Sequence, residues 1–186
     1  AGTDEVGRGP MAGPLVAAAV VLPNDFDCDD INDSKKLTPK KREKLYDFIM
    51  HKALEVSITF ISVEDVDRLN VYQASKLAMT ECLQKLKIKP DYVLTDAMKL
   101  DVDIPVMDII KGDSKSISIA AASIIAKVSR DRYMVSIDAK YPMYGFKNHK
   151  GYVTKKHLEA IHKYGICELH RKSFAPVQEV IGKRGL

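Results

Sequence analysis

Apolar residues in this chain come in short blocks separated by turns, and the spacing within each block tells strand from helix. Leu15-Val16-Ala17-Ala18-Ala19-Val20-Val21-Leu22 is continuously apolar, as a strand buried on both faces is. Together with the short lead-in at residues 1–5 it is predicted to form a buried hairpin around a glycine-rich turn. Thr38-Pro39 offers an N-cap followed by proline at the first helical position. Leu45, Phe48, Ile49 and Ala53 then share one face, which predicts an amphipathic helix over 39–54. Val56, Ile58, Phe60 and Ile61 predict a third strand, and Ala74, Leu77, Ala78, Cys82 and Leu86 a helix over 71–87 stopped by Pro90. Tyr92-Val93-Leu94 reads as a short central strand ending on Asp96, followed by another strand near 106–110. From Ile117 to Val128 nearly every residue is apolar, so that helix must be buried on most sides. A last helix is expected at about 154–164.

Length and composition frame this alternation of strand and helix. With 186 residues and 46% hydrophobic content, one globular domain over 1–186 is expected, residues from about 145 forming a C-terminal helical segment. No apolar run is long enough for a membrane span, and the N-terminus lacks the basic and apolar regions of a signal peptide, so a cytoplasmic, monomeric protein is expected. Cys28, Cys82 and Cys167 are widely spaced and suit neither a disulfide framework nor a thiolate metal site, and they are read as small apolar residues. The net charge is +4. Bases gather at Lys35-Lys36, Lys40-Lys41-Arg42, Lys147/Lys150/Lys155/Lys156 and Arg171-Lys172, compatible with a bound polyanion and equally with solvated helix faces. Asp25, Asp27, Asp29, Asp30 and Asp33 lack the glycine and closing glutamate of a calcium loop and read as an exposed loop.

Candidate chemistry begins at the N-terminus. Asp4-Glu5 runs into Gly7-Arg8-Gly9-Pro10, a turn able to present backbone N–H groups at close range. Carboxylates suit a divalent cation and such a turn suits a phosphate, although the pair is equally consistent with solvated acids beside a surface turn. Asp96 sits at a strand tip, and Asp113 just before the buried helix, where an acid can also serve the helix dipole. On that helix Ser123, Lys127 and Arg130 recur at intervals that place them on one face, so they are expected to line a site.

Seven segments, in order and spanning essentially the whole chain, resemble bacterial ribonuclease HII, the type 2 ribonuclease H. They are Asp4-Glu5-Val-Gly7-Arg8-Gly9-Pro10-Met-Ala-Gly13-Pro14, Asp33-Ser34-Lys35-Lys36-Leu37, Leu94-Thr-Asp96, Lys111-Gly112-Asp113, the run from Ala121 to Arg132, Lys150-Gly151-Tyr152, and His170-Arg171-Lys-Ser173-Phe174. Met11 and Ala97-Met98 depart slightly from the pattern, and the chain opens at Ala1 where members of this family carry a preceding segment, so a fragment of a longer chain is expected.

The resemblance implies an α/β, ribonuclease H-like fold: a mixed sheet of about five strands flanked by helices, with a small C-terminal helical segment. It implies Asp4, Glu5, Asp96 and Asp113 as catalytic and metal-holding acids. Two Mg²⁺ or Mn²⁺ ions are implied, about 3.5–4 Å apart. Neighbours on a strand face opposite ways, so Asp4 and Glu5 can both reach inward only if the strand ends or bulges there, and otherwise Glu5 contributes through its carbonyl. The implied substrates are RNA/DNA hybrids and duplex DNA containing single ribonucleotides, cut on the 5′ side to leave 5′-phosphate and 3′-hydroxyl. Gly7, Arg8 and Gly9 would read the 2′-hydroxyl, Tyr152 would pack on the sugar, and Lys35, Ser123 and Lys127 would hold phosphates. A related enzyme specific for long hybrids and a non-catalytic nucleic-acid-binding subunit remain the alternatives. A dinucleotide site is excluded by the spacing of the glycines at 7, 9 and 13.

Overall fold

A computed structural model describes residues 1–31 and 37–184. Its strands are β1 (Gly2–Val6), β2 (Leu15–Val21), β3 (Glu55–Ile61), β4 (Val93–Asp96) and β5 (Val106–Ile109), hydrogen-bonded in the order β3-β2-β1-β4-β5. β1 and β2 form the expected antiparallel hairpin, whereas β4 lies parallel to both β1 and β5. The sheet is therefore mixed, as the resemblance implied. The chain divides into two compact units, one made of 1–6, 16–60 and 75–129, the other of 7–15, 61–74 and 130–186.

In the first unit, Ala18 and Val20 of β2 pack with Leu45 and Ile49 of α1 (Pro39–Lys52) and with Ala121, Ile124 and Ile125 of the long helix α4 (Ile117–Asp138). Every residue of β2 is buried, as its unbroken apolar run predicts. Cys82 of α3 (Val71–Lys85) is buried and directs its thiol at the Ala17 carbonyl, 3.2 Å away. Each fully buried isoleucine here is worth about 1.5–3 kcal/mol of transfer free energy. Thr38 caps α1 as expected, its hydroxyl accepting from the Lys41 N–H. A Cβ on Gly2 would lie 2.2 Å from the backbone carbon of Ser118, so glycine is what lets α4 start so close to β1.

The second unit has its own core of Met11, Met134, Tyr144, Phe146, Ile161, Val177 and Val180, with the Tyr144 and Phe146 rings stacked at 5.3 Å. It contains α2 (Val63–Leu69), α5 (Phe146–His149), α6 (Lys155–Tyr164) and α7 (Ala175–Arg184). Helix α2 is absent from the sequence expectation, although Ser62 caps it by accepting from the Asp65 N–H. Helix α4 also continues to Asp138 where the apolar pattern ends at Val128.

Candidate active site

Four of the predicted acids belong to the first unit. β1 runs in unbroken register against β2, pairing Asp4 with Ala18 and Glu5 with Ala17, so it neither ends nor bulges at the acids. The two side chains accordingly take opposite sides of the strand. Asp4 is 6% exposed and Glu5 is half-buried. Asp4 Oδ1 accepts the Glu5 N–H at 2.8 Å, and Ser123 of α4 hydrogen-bonds to the same carboxyl. Thr3 pairs with Thr95 across β1 and β4, and the next step of that parallel register falls at Asp4 and Asp96. Asp96 Oδ1 in turn accepts the Gly112 N–H at 2.8 Å, anchoring the 3₁₀ turn Gly112–Ser114 that carries the buried Asp113. Lys127 lies one helical turn beyond Ser123 and is half-buried. Lys35, with the rest of Asp33-Ser-Lys-Lys, lies outside the described residues.

Burial raises the Asp4 carboxyl well above the usual carboxylate range, and the Glu5 and Asp96 charges add to it; the Ser123 and Glu5 N–H hydrogen bonds only partly offset the rise. A carboxylate so placed gains from a nearby cation. The donors around it are oxygens, which suits a hard divalent ion such as Mg²⁺ or Mn²⁺. Among the described residues, no three of His, Cys, Asp or Glu stand close enough together to hold an ion as they are arranged, and oxygens of Asp4 and Asp96 are engaged by the chain's own donors.

Gly7, Arg8, Gly9 and Tyr152 belong to the second unit. Gly7 takes φ +99°, a conformation favouring glycine, and a Cβ there would also meet the Arg130 Nε at 2.7 Å. Arg8 and Gly9 are exposed, and a Cβ on Gly9 would be 3.9 Å from Tyr152 Cε1, so the turn and the partly exposed Tyr152 ring are neighbours. Beneath the turn lie two arginines with no exposed surface. Arg130 donates to the carbonyls of Pro14, Lys150 and Ala12 at 2.8, 2.9 and 3.0 Å. Arg171 donates twice to Gly13, at 3.0 and 2.8 Å, and once to the Arg8 carbonyl at 3.3 Å. Because a trans peptide sets C=O and N–H on opposite sides, a carbonyl of Arg8 drawn toward Arg171 turns the Gly9 N–H away from it, on an exposed residue. Burial and the neighbouring Arg130 bring Arg171 down to about 9, which still leaves it charged at neutral pH.

These contacts correct two sequence expectations. Arg130 does not line a site with Ser123 and Lys127; its guanidinium is spent on backbone carbonyls. Arg171 is not part of a basic surface, although Lys172, Lys147, Lys155 and Lys156 are exposed and Lys150 is half-buried. The register of Arg130 with Ser123 on one face of the buried helix was the available signal for it, whereas nothing in the local sequence marks Arg171 as buried.

The sequence also gave no sign that His149, His157 and His170 pack together. His149 stacks on His157 at 4.1 Å, and His157 Nε2 lies 3.1 Å from His170 Nε2. Burial pushes His157 down to about 3 and His170 to about 4. Unfolded imidazoles titrate near about 6.5, so between these values the unfolded chain binds more protons and stability rises with pH. The contribution is complete above about pH 6.5 and is lost on acidification toward 4, by up to about 1.4 kcal/mol per pH unit for each ring. Urea midpoints at pH 7 and pH 5, for the native chain and His157→Asn, should show a shallower pH dependence in the variant; an unchanged one would rule His157 out.

A family model described as Ribonuclease HII matches residues 1–177. The ribonuclease HII of Bacillus mycoides is 56% identical over 183 residues, which cover 98% of this chain and 71% of that protein. Among solved structures, ribonuclease H2 from Pyrococcus horikoshii matches with a TM-score of 0.84 and 26% identity over 98% of this chain and 96% of that one. Bst-RNase HIII, crystallised in complex with Mn²⁺, shares the fold at a TM-score of 0.70 and 16% identity, over 98% of this chain and 68% of its own.

Proposed function

Because the chain belongs to the ribonuclease HII family and is therefore an endonuclease of the ribonuclease H group, we propose that it hydrolyses RNA in RNA/DNA hybrids and cuts 5′ of single ribonucleotides embedded in duplex DNA. The observation that carries this reading is the buried Asp4, repelled by Glu5 and Asp96 at the paired strands β1 and β4. The products would be 5′-phosphate and 3′-hydroxyl ends. Mg²⁺ or Mn²⁺ held by the carboxylates of Asp4, Asp96 and Asp113 and by Glu5 through its carbonyl would supply charge stabilisation at the scissile phosphate. The Mn²⁺ complex of Bst-RNase HIII supports a divalent ion in this fold. Ser123 and Lys127 would donate to phosphate oxygens, with Lys35 a further phosphate ligand.

Discrimination of RNA from DNA rests in this reading on Gly7-Arg8-Gly9 and Tyr152. The outward-turned Gly9 N–H is a donor for the 2′-hydroxyl, the group that distinguishes the two sugars. The neighbouring Tyr152 ring is a surface for the ribose. The reading is completed by a cytoplasmic monomer; among the described residues no helix is long and apolar enough to cross a membrane.

Incubation with a duplex containing one ribonucleotide, with and without Mg²⁺ or Mn²⁺, tests the proposal. Metal-dependent cutting on the 5′ side is expected; cutting of the all-DNA duplex, or none with either ion, would overturn it. Tyr152→Ala should lower cleavage at a single ribonucleotide by about ten- to a thousandfold, since a stacking contact of this kind is worth about 1–3 kcal/mol and also sets alignment. An equal loss on long hybrids together with a lower melting temperature would instead make Tyr152 a packing residue.

A further inference from the structure

Three imidazoles packed together invite a metal reading, and their hydrogen bonds refuse it. All six ring nitrogens are engaged: His149 with the Gly151 N–H and the Tyr144 carbonyl, His157 with the Tyr152 carbonyl and His170, and His170 also with the Cys167 N–H. What remains is a question of direction, and the backbone answers it. His170 Nδ1 lies 3.3 Å from the carbonyl and the thiol of Cys167, and closer, at 3.0 Å, to the Cys167 N–H, which can only donate, so Nδ1 is an acceptor. A neutral His170 then carries its proton on Nε2 and donates it to His157 Nε2 at 3.1 Å. His157 must accept there, so its proton sits on Nδ1 and is donated to the Tyr152 carbonyl at 2.9 Å. The other side of the same residue is tied as well, the Tyr152 N–H donating to the His149 carbonyl at 2.9 Å. His149 accepts from the Gly151 N–H at Nδ1 and donates from Nε2 to the Tyr144 carbonyl.

We propose that His157 is a positioning residue for Tyr152, holding its peptide through a one-way chain of neutral imidazoles that begins at the Cys167 N–H. The proposal rests on the reading that Tyr152 packs against the substrate sugar. The chain has one consistent set of proton positions. A second proton on His157 would set two N–H groups face to face across the 3.1 Å His157–His170 contact, and one on His170 would set its Nδ1–H against the Cys167 N–H. The strong lowering of both rings by burial agrees with a neutral pair. The ring that this anchor orients lies beside Gly9 and 5.8 Å from the Arg130 guanidinium, so a small rotation of the Tyr152 peptide would carry it off both.

Asparagine and glutamine separate the two ends of His157. The amide nitrogen of asparagine falls near Nδ1 and can still donate to the Tyr152 carbonyl, whereas glutamine reaches toward Nε2 and His170. On the single-ribonucleotide duplex, His157→Gln should lower kcat/KM about five- to tenfold, the worth of one hydrogen bond, and His157→Asn less than about twofold. In the Tyr152→Ala background His157→Gln should cost nothing further, because the backbone anchor then has no ring left to orient. Equal losses from glutamine in both backgrounds, or equal losses from asparagine and glutamine, would overturn the positioning role while leaving the Tyr152 reading intact. If Tyr152→Ala alone leaves cleavage unchanged, the substrate reading fails and the proposal with it. ¹⁵N NMR of the native imidazoles at pH 7 tests the chain without any substitution: Nδ1–H on His157 with Nε2–H on His170 is expected, and the reverse assignment overturns it.

Discussion

Replacing Asp4 by asparagine is expected to reduce cleavage at least about a thousandfold in saturating Mg²⁺ or Mn²⁺, the order expected when a carboxylate is lost from a reacting metal centre, while leaving the fold as stable as before or more so. The two effects have one cause. Burial, Glu5 and Asp96 all disfavour the Asp4 carboxylate, so its folded pKa stands above the unfolded one. A carboxyl raised in this way stabilises the fold when protonated, at low pH, and that contribution is lost as pH rises through the shifted range. Asparagine keeps the size and the acceptor for the Glu5 N–H and never ionises. Thermal melts at pH 7 should therefore favour the variant, and its advantage should shrink on acidification. A few per cent of native rate would remove Asp4 from the reacting centre, and a lower melting temperature at pH 7 would show that the carboxylate is compensated by more than the hydrogen bonds described.

Arg171→Met should cost about 2–5 kcal/mol of stability, because two carbonyls lose a charged donor. Methionine fills much of the volume, so the loss falls on the polar atoms. Gly13 would lose two donors and Arg8 one. Each buried carbonyl left unsatisfied costs about 1–3 kcal/mol. Lysine keeps the charge and cannot reproduce the fork, so Arg171→Lys should recover less than half of the loss. Urea unfolding of the three chains decides the matter; a methionine variant within about 1 kcal/mol of native would mean that water satisfies these carbonyls instead.

Periodicity carried the elements whose side chains answer to a face. The all-buried β2, the capped α1 and the strand tip at Asp96 were legible because burial of Val16 or Ile49 leaves a pattern along the chain. Helix α4 was cut short because Ser129-Arg130-Asp131-Arg132 looks like a solvated end, and only the carbonyls of residues 12, 14 and 150 explain an arginine buried there. The acids could be named from motifs, yet the alternation that sends Asp4 inward and leaves Glu5 half-buried is a property of the unbroken β1–β2 register. The histidine cluster escaped because 149, 157 and 170 share no helical or strand spacing and meet through tertiary packing alone.

The carbonyls of the glycine turn are satisfied from far along the chain: Arg130 is 118 residues from Ala12, and Arg171 is 158 from Gly13 and 163 from Arg8. Contacts of such sequence separation close late in folding, since a long loop must be ordered before they return anything. On a ribosome the order is stricter. Gly13 is made 158 residues before the guanidinium that holds its carbonyl, so the turn leaves the ribosome before Arg171 exists. A nascent chain released before residue 171 would carry all four acids and leave Gly13 and Arg8 without the donors that fix the turn, so the parts proposed to tell RNA from DNA are completed later than the acids proposed to cut it.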